Sequence, residues 1–257
     1  MTRRPAPLDA ATDALFLDVD GTLLAIESHP DAVVADAHLR ELLDTLARRL
    51  DGALALVSGR TVGALDRMFA PLCLPAAGAH GSELRISDVA SRDAAHELPA
   101  HARKALEAFA AAHEGVLLEP KPGGASLHYR RAPALEEACR RFMAGLLDDL
   151  RSEYRVIDGK MVLELAPRAA SKGEAILSLM RETPFAGRRP VFVGDDVTDE
   201  DGFRAVNSLG GVSVRVGALD DSTAKWSLAD IAAVREWLHA LAATNPDDTG
   251  DSAVAQP

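Results

Sequence analysis

Three apolar runs in this chain break off at residues that carry chemistry, and this repetition constrains the fold more than any other feature. Ala14-Leu15-Phe16-Leu17 leads into Asp18-Val19-Asp20-Gly21-Thr22-Leu23, and Ala53-Leu54-Ala55-Leu56-Val57 leads into Ser58-Gly59-Arg60. Pro190-Val191-Phe192-Val193 leads into Gly194-Asp195-Asp196-Val197-Thr198-Asp199-Glu200-Asp201. Between the first two runs, Leu39, Leu42, Leu43, Leu46 and Leu50 recur at helical spacing from Asp36 to Leu50, so the segment reads as strand, helix, strand. Strands joined through a helix lie parallel, and open parallel sheets bind ligands at one edge, near a switch in strand order. The sequence therefore predicts an α/β fold in which Asp18, Asp20, Ser58, Asp195 and Asp196 are neighbours.

With 257 residues the chain is long enough for a large domain carrying an inserted second one. The core is expected at 10–89 and 167–243, with the insertion at 90–166. Within it the pattern predicts a helix from Pro99 to Glu114, strands at Val116–Glu119 and Ala125–Arg130, a helix from Pro133 to Leu150, and a strand pair turning at Asp158-Gly159. Both helices are one-sided, with Leu106, Phe109 and Ala110 on the first and Leu135, Cys139, Phe142, Leu146 and Leu150 on the second. They should cover one face of a small sheet. If Val116, Leu118, Leu127, Tyr129, Leu163 and Leu165 face these helices, alternation leaves Glu119, Ser126, His128, Arg130 and Glu164 on the other face. Lys121 follows Glu119 at strand spacing. An open face of this polarity suits a sugar, whose hydroxyls need hydrogen-bond partners on leaving water. The tail 244–257 is polar and turn-rich and is expected to be disordered, and Arg3 and Arg4 read as a loose end.

A net charge of −11 argues against general nucleic-acid binding. No apolar stretch reaches the length that crosses a bilayer, and the start, Met1 to Pro5, lacks the apolar stretch of a secretory signal, so a cytoplasmic protein is expected. Cys73 and Cys139 form neither a disulfide framework nor a metal cluster. A small anionic substrate fits the charge only if cations stand at the motifs, and Lys172 is one. It occupies the first turn of a helix that Ser171 caps and that runs to about Arg181, where a cation opposes the helix dipole unless an anion sits beside it.

Asp18 and Asp20 stand two residues apart at a strand end, where one carboxylate can attack an electrophile while the other handles protons, as phosphate ester hydrolysis requires. Together with Ser58-Gly59-Arg60, Lys172 and the acidic run at Asp195, in this order, the motifs resemble those of the haloacid dehalogenase-like phosphatase superfamily. More narrowly, Gly194 to Glu200, His80-Gly81-Ser82-Glu83, Glu119-Pro120-Lys121 and His128-Tyr129-Arg130 look like those of the trehalose-6-phosphate phosphatase family, the likeness running from about Ala14 to Val216. The resemblance implies a Rossmann-like parallel-sheet core with an inserted α/β cap. It implies Asp18 as nucleophile, Asp20 as general acid and base, Ser58 as phosphate ligand and Lys172 as clamping cation. Mg²⁺ would be held by Asp18, the backbone carbonyl of Asp20 and Asp195, with Asp196 orienting that shell and Asp199 a second candidate ligand. Asp18, Val19, Asp20, His80, Glu119, Lys121 and Glu164 are expected to contact the substrate, a small sugar phosphate, while Arg60 and Arg130 are read as support for a loop or for the cap. The alternatives are a related capped phosphatase of the sucrose-phosphate or mannosyl-phosphoglycerate type, and a sugar-phosphate-binding regulator without turnover. No membrane partner is expected, and a monomer is compatible with the sequence.

Overall fold

The computed structural model describes residues 3–26, 34–87, 90–93, 97–150, 153–159 and 161–243 and divides their strands between two sheets. The tail expected to be disordered lies outside the described residues. The chain begins with β1 (Asp13–Leu17), α1 (Ala37–Arg49), β2 (Leu54–Val57), α2 (Val62–Phe69), β3 (Ala76–Gly78), β4 (Glu83–Ser87) and β5 (Ala90–Asp93). The second layer follows as α3 (Ala100–Ala112), β6 (Leu117–Lys121), β7 (Gly124–His128), α4 (Glu136–Leu150), β8 (Tyr154–Gly159) and β9 (Val162–Pro167). The chain then returns through α5 (Lys172–Leu179), β10 (Arg189–Gly194), α6 (Glu200–Ser208), β11 (Val212–Val216), β12 (Trp226–Leu228) and α7 (Ile231–Ala243).

The larger sheet has the order β12-β11-β10-β1-β2-β3-β4-β5, parallel from β12 to β3 and antiparallel at its last two strands. β1 pairs with β2 on one side and β10 on the other, aligning Leu17 with Leu56 and with Val193. Strand order therefore switches at β1, and the three chemistry-bearing loops leave the sheet side by side. β1 and β2 are buried along their whole length, as strands covered on both faces must be, which is why they read as unbroken apolar runs. Phe16 stacks on Phe185 with centroids 5.3 Å apart and Phe192 packs on Phe203 at 5.4 Å; Phe16 and Phe192 are register partners on neighbouring strands, so both pairs fill the same face. The helix expected at Asp36–Leu50 begins after Asp36, whose side chain accepts from the Leu39 N–H at 2.8 Å, and Arg48 and Arg49 in its last turn complement the dipole.

The smaller sheet, β6-β7-β9-β8, is antiparallel throughout. α3 and α4 cover one face, burying Leu106, Leu127, Cys139, Met143, Leu163 and Leu165, with Phe109 stacked on Phe142 at 4.2 Å. The second helix was expected from Pro133, but Pro133–Leu135 forms a tighter turn and the regular helix starts at Glu136. Ala90–Asp93, placed by sequence at the start of the insertion, pairs with β4 and forms the edge of the large sheet. Arg3 is not loose: its backbone exchanges hydrogen bonds with Ser227 and its guanidinium lies 4.6 Å from the Trp226 ring centroid. Among the described residues no helix is long and apolar enough to cross a membrane.

Candidate active site

A cleft of about 360 Å³ opens where the ends of β1, β2 and the start of α5 face β6 and β7 of the smaller sheet. From the large sheet it is lined by Asp18, Asp20, Ser58, Arg60, His80 and Lys172, and from the smaller one by Glu119, Lys121 and His128. Asp18 follows directly on β1, and its N–H donates to the Val193 carbonyl at 2.9 Å, so the sheet ladder itself sets its position. Gly21 turns the chain back with φ at 88°, and a Cβ there would lie 2.1 Å from Asp195 Oδ2. Only glycine both adopts this conformation and admits Asp195 against the first loop. Thr22 Oγ1 donates to Asp195 Oδ1 at 3.1 Å and fixes it there.

Lys172 is the hub. Its Nζ donates to Asp18 Oδ1 at 2.7 Å and to Asp199 Oδ1 at 2.6 Å, all three side chains being buried. The two carboxylates explain how a cation is tolerated in the first turn of α5, whose cap, Ser171 Oγ, accepts from the Glu174 N–H. Burial alone would lower the Lys172 pKa, but Asp18 and Asp199 outweigh it and the ammonium is held charged well above its ordinary range. Asp18 is pushed well above the usual carboxylate range, first by burial and then, against the opposing pull of Lys172, by Asp199 and Asp195. Asp195 is raised by burial and by Asp199.

Asp199, a candidate metal ligand by sequence, has its other oxygen occupied: Oδ2 accepts the N–H groups of Asp195 and Asp196, each at 2.9 Å. It braces the loop and Lys172 at once, a role that its spacing of four residues from Asp195 could have signalled. Asp196 turns its own carboxylate to the Val197 N–H at 2.7 Å. The residues fit a hard divalent cation, because oxygens of Asp18, Asp195 and Asp199 lie within 4.8 Å of one another and, among the described residues, that of Lys172 is the one ammonium that bonds any of them. With Asp199 already satisfied, Asp18 and Asp195 are the side chains left for such an ion.

The open face of the smaller sheet carries a connected polar network. Glu164 accepts from Lys121 Nζ at 2.7 Å and from Ser126 Oγ at 3.2 Å, while His128 Nε2 meets Glu119 Oε2 at 2.8 Å. The hydrogen bond with His128 is the main reason the Glu119 pKa is lowered. Two contacts tie this face to the large sheet: Lys121 Nζ to the Gly59 carbonyl at 3.5 Å, and His80 Nε2 to Glu164 Oε1 at 3.7 Å. Burial drives the His80 pKa down to about 4, against the pull of Glu164. A Cβ on residue 59 would meet the His80 ring at 2.6 Å, so Gly59 makes room for it.

Not every expected residue reaches the cleft with its side chain. Val19 is wholly buried in the core, leaving only its main chain for a ligand. Arg130 lies on a neighbouring groove of about 1060 Å³ instead. Arg60 does more than support its loop: its Nε and Nη2 grip Asp20 Oδ2 and Oδ1, both at 2.6 Å. No short-range pattern signals this pair, since the partners are forty positions apart.

The sequence model of trehalose-phosphatases matches residues 16–232. Trehalose-6-phosphate phosphatase of Escherichia coli (strain K12) is 43% identical over 236 residues, covering 90% of this chain and 87% of that protein. A probable trehalose-phosphate phosphatase of Sinorhizobium fredii is 42% identical over 234 residues, covering 90% and 88%. In fold, the C-terminal domain of C. albicans trehalose-6-phosphate phosphatase superposes with a TM-score of 0.73 at 23% identity, over 94% of this chain and 92% of that one. With its strand-end carboxylates and buried lysine inside the matched span, this chain belongs to the trehalose-phosphatase family.

Proposed function

We propose that this chain hydrolyses trehalose 6-phosphate to trehalose and phosphate in a Mg²⁺-dependent reaction through a phosphoaspartate on Asp18. The observation that carries the reading is the Lys172 ammonium held between Asp18 and Asp199, with Asp20 two residues on and facing the same cleft. Relatives named for this activity at 43% and 42% identity support the substrate.

Asp18 and a phosphate dianion repel, so their approach needs cations. Held by Asp18, Asp195 and the Asp20 carbonyl, Mg²⁺ would supply two of the positive charges and Lys172 supplies a third. An Asp18 oxygen attacks phosphorus as the bond from phosphorus to the sugar oxygen breaks, and Asp20 delivers a proton to that oxygen. Asp20, now a carboxylate, takes a proton from the water that attacks the phosphoaspartate and restores Asp18. Ser58, buried at the end of β2 and lining the cleft, donates its hydroxyl to the phosphoryl group. Glu119, Lys121, Glu164 and His80 face the sugar and exchange hydrogen bonds with its hydroxyls, so substrate choice resides in the smaller sheet and the seam beside it.

Phosphate release from trehalose 6-phosphate, glucose 6-phosphate and sucrose 6-phosphate, with Mg²⁺ and with EDTA, tests the proposal. The expected result is a kcat/KM at least about a hundredfold higher for trehalose 6-phosphate, abolished by EDTA. Equal rates on all three would overturn the substrate, and no release from any would overturn the reaction.

A further inference from the structure

The Asp20 carboxylate must reach a leaving oxygen, yet both of its oxygens are taken by the Arg60 fork. This pair differs in kind from the one beside it. The Lys172 and Asp18 side chains are only 4% and 5% exposed, whereas those of Arg60 and Asp20 are 17% and 29% exposed. A buried pair is locked, because separating it strands charges away from water, while a partly wetted pair exchanges partners at lower cost. Arg60 stands two residues beyond Ser58, on the loop that leaves β2, and both line the cleft with Lys172. A guanidinium fork fits a phosphate as well as a carboxylate. Lys172 is committed to Asp18 and Asp199, and Lys121 to Glu164.

We propose that Arg60 is a positioning residue that works by exchange: it parks the Asp20 carboxylate in the free site and transfers its fork to the phosphoryl group when substrate arrives, releasing Asp20, which takes a proton from water and passes it to the leaving oxygen. The inference rests on the phosphatase reading of the cleft and adds an ordered change of partners to it. Asp20 is then out of play until an anion occupies the pocket.

The test is a double-mutant cycle on orthophosphate binding, measured by titration calorimetry on the full chain with Mg²⁺ present, using Asp20→Asn, Arg60→Gln and the double variant. Exchange makes Asp20 a competitor for the fork, so D20N tightens phosphate binding by about tenfold, and most of this gain disappears in the Arg60→Gln background. A static brace predicts the opposite ordering, because without Arg60 the Asp20 charge is uncompensated and its removal gains more. A gain that is equal or larger in the Arg60→Gln background therefore overturns the exchange. Arg60→Lys keeps the charge but not the fork and serves in the cycle if the glutamine variant fails to fold. Its kcat should fall more than its KM rises, a split that a purely structural role would not produce. The two readings fail separately: phosphate release with the wrong cycle ordering overturns only the exchange, whereas a chain that neither binds orthophosphate nor releases it from any sugar phosphate overturns the phosphatase reading and the exchange with it.

Discussion

The two sheets solve the problem of carrying chemistry in opposite ways. β1 and β2 are buried on both faces, so the large sheet offers reactive groups only where strands stop, at Asp18 and Ser58. The smaller sheet has helices on one side only, and its polar residues run along the open face, at Glu119, Lys121, Ser126, His128 and Glu164. Strand ends hold a few groups in one rigid constellation, which suits bond making. An open face spreads donors and acceptors over a wider area, which suits recognition of a sugar. The comparison also predicts how substitutions divide: changes at the strand ends should remove chemistry, and changes on the open face should alter selectivity.

The largest effect is expected from Asp18→Asn. An amide in place of the proposed nucleophile should lower kcat by at least about a thousandfold on every phosphate ester tried, measured by phosphate release. Residual turnover within about tenfold of the parent would place the nucleophile elsewhere.

Lys172→Met comes next and contrasts the two regions in stability. It strands Asp18 and Asp199 in a buried setting, and should cost about 3–5 kcal/mol by urea unfolding. The hydrogen bond of His128 with Glu119 is of similar length, 2.8 Å, but its side chains are 33% and 49% exposed, so His128→Gln should cost less than about 1 kcal/mol. Similar losses in the two variants would erase the distinction between a locked strand end and a solvated face.

The same contrast governs what was legible in the sequence. Fully buried parallel strands leave unbroken apolar runs, so β1, β2 and β10 and the motifs at their ends could be read directly. The alternation in β7 and β9 was also legible, because one face is apolar and the other is not: Leu127, Leu163 and Leu165 face the helices, while Ser126 and Glu164 face the cleft side. Groups joined by long side chains were not legible. The grip of Arg60 on Asp20 and the tie of Arg3 to Trp226 depend on where a flexible guanidinium ends up, which local spacing does not encode. Ala90–Asp93 escaped because an antiparallel edge strand with a short polar sequence lacks the apolar signature of the strands inside the sheet.

On the open face, Glu164→Gln should sharpen the comparison. Glu164 binds Lys121 and Ser126 and approaches His80, so losing its charge loosens two other groups assigned to the sugar, Lys121 and His80. The expected result is a fall of about tenfold or more in kcat/KM for trehalose 6-phosphate, with a much smaller loss on p-nitrophenyl phosphate, which offers no sugar hydroxyls. Equal losses on both substrates would move Glu164 from recognition into the chemistry.

The effect of His80, which joins the two regions, shows only as a pH dependence. It sits on a core loop with φ at 54° and its ring points to Glu164 of the smaller sheet. Its pKa is about 4 in the folded chain, against an ordinary value near ~6.5 when unfolded. Between these two values the unfolded chain takes up a proton that the folded chain refuses, so stability falls as pH drops from about 6.5 to about 4 and changes no further below it. His80→Asn removes this contribution, and asparagine tolerates the left-handed backbone that residue 80 needs. In urea unfolding, the parent should lose about 2 kcal/mol more than the variant between about pH 7.5 and about pH 5. An identical pH slope in the two proteins would mean that His80 takes up protons freely in the folded state, and that water reaches the seam between the strand-end chemistry and the sugar-facing sheet.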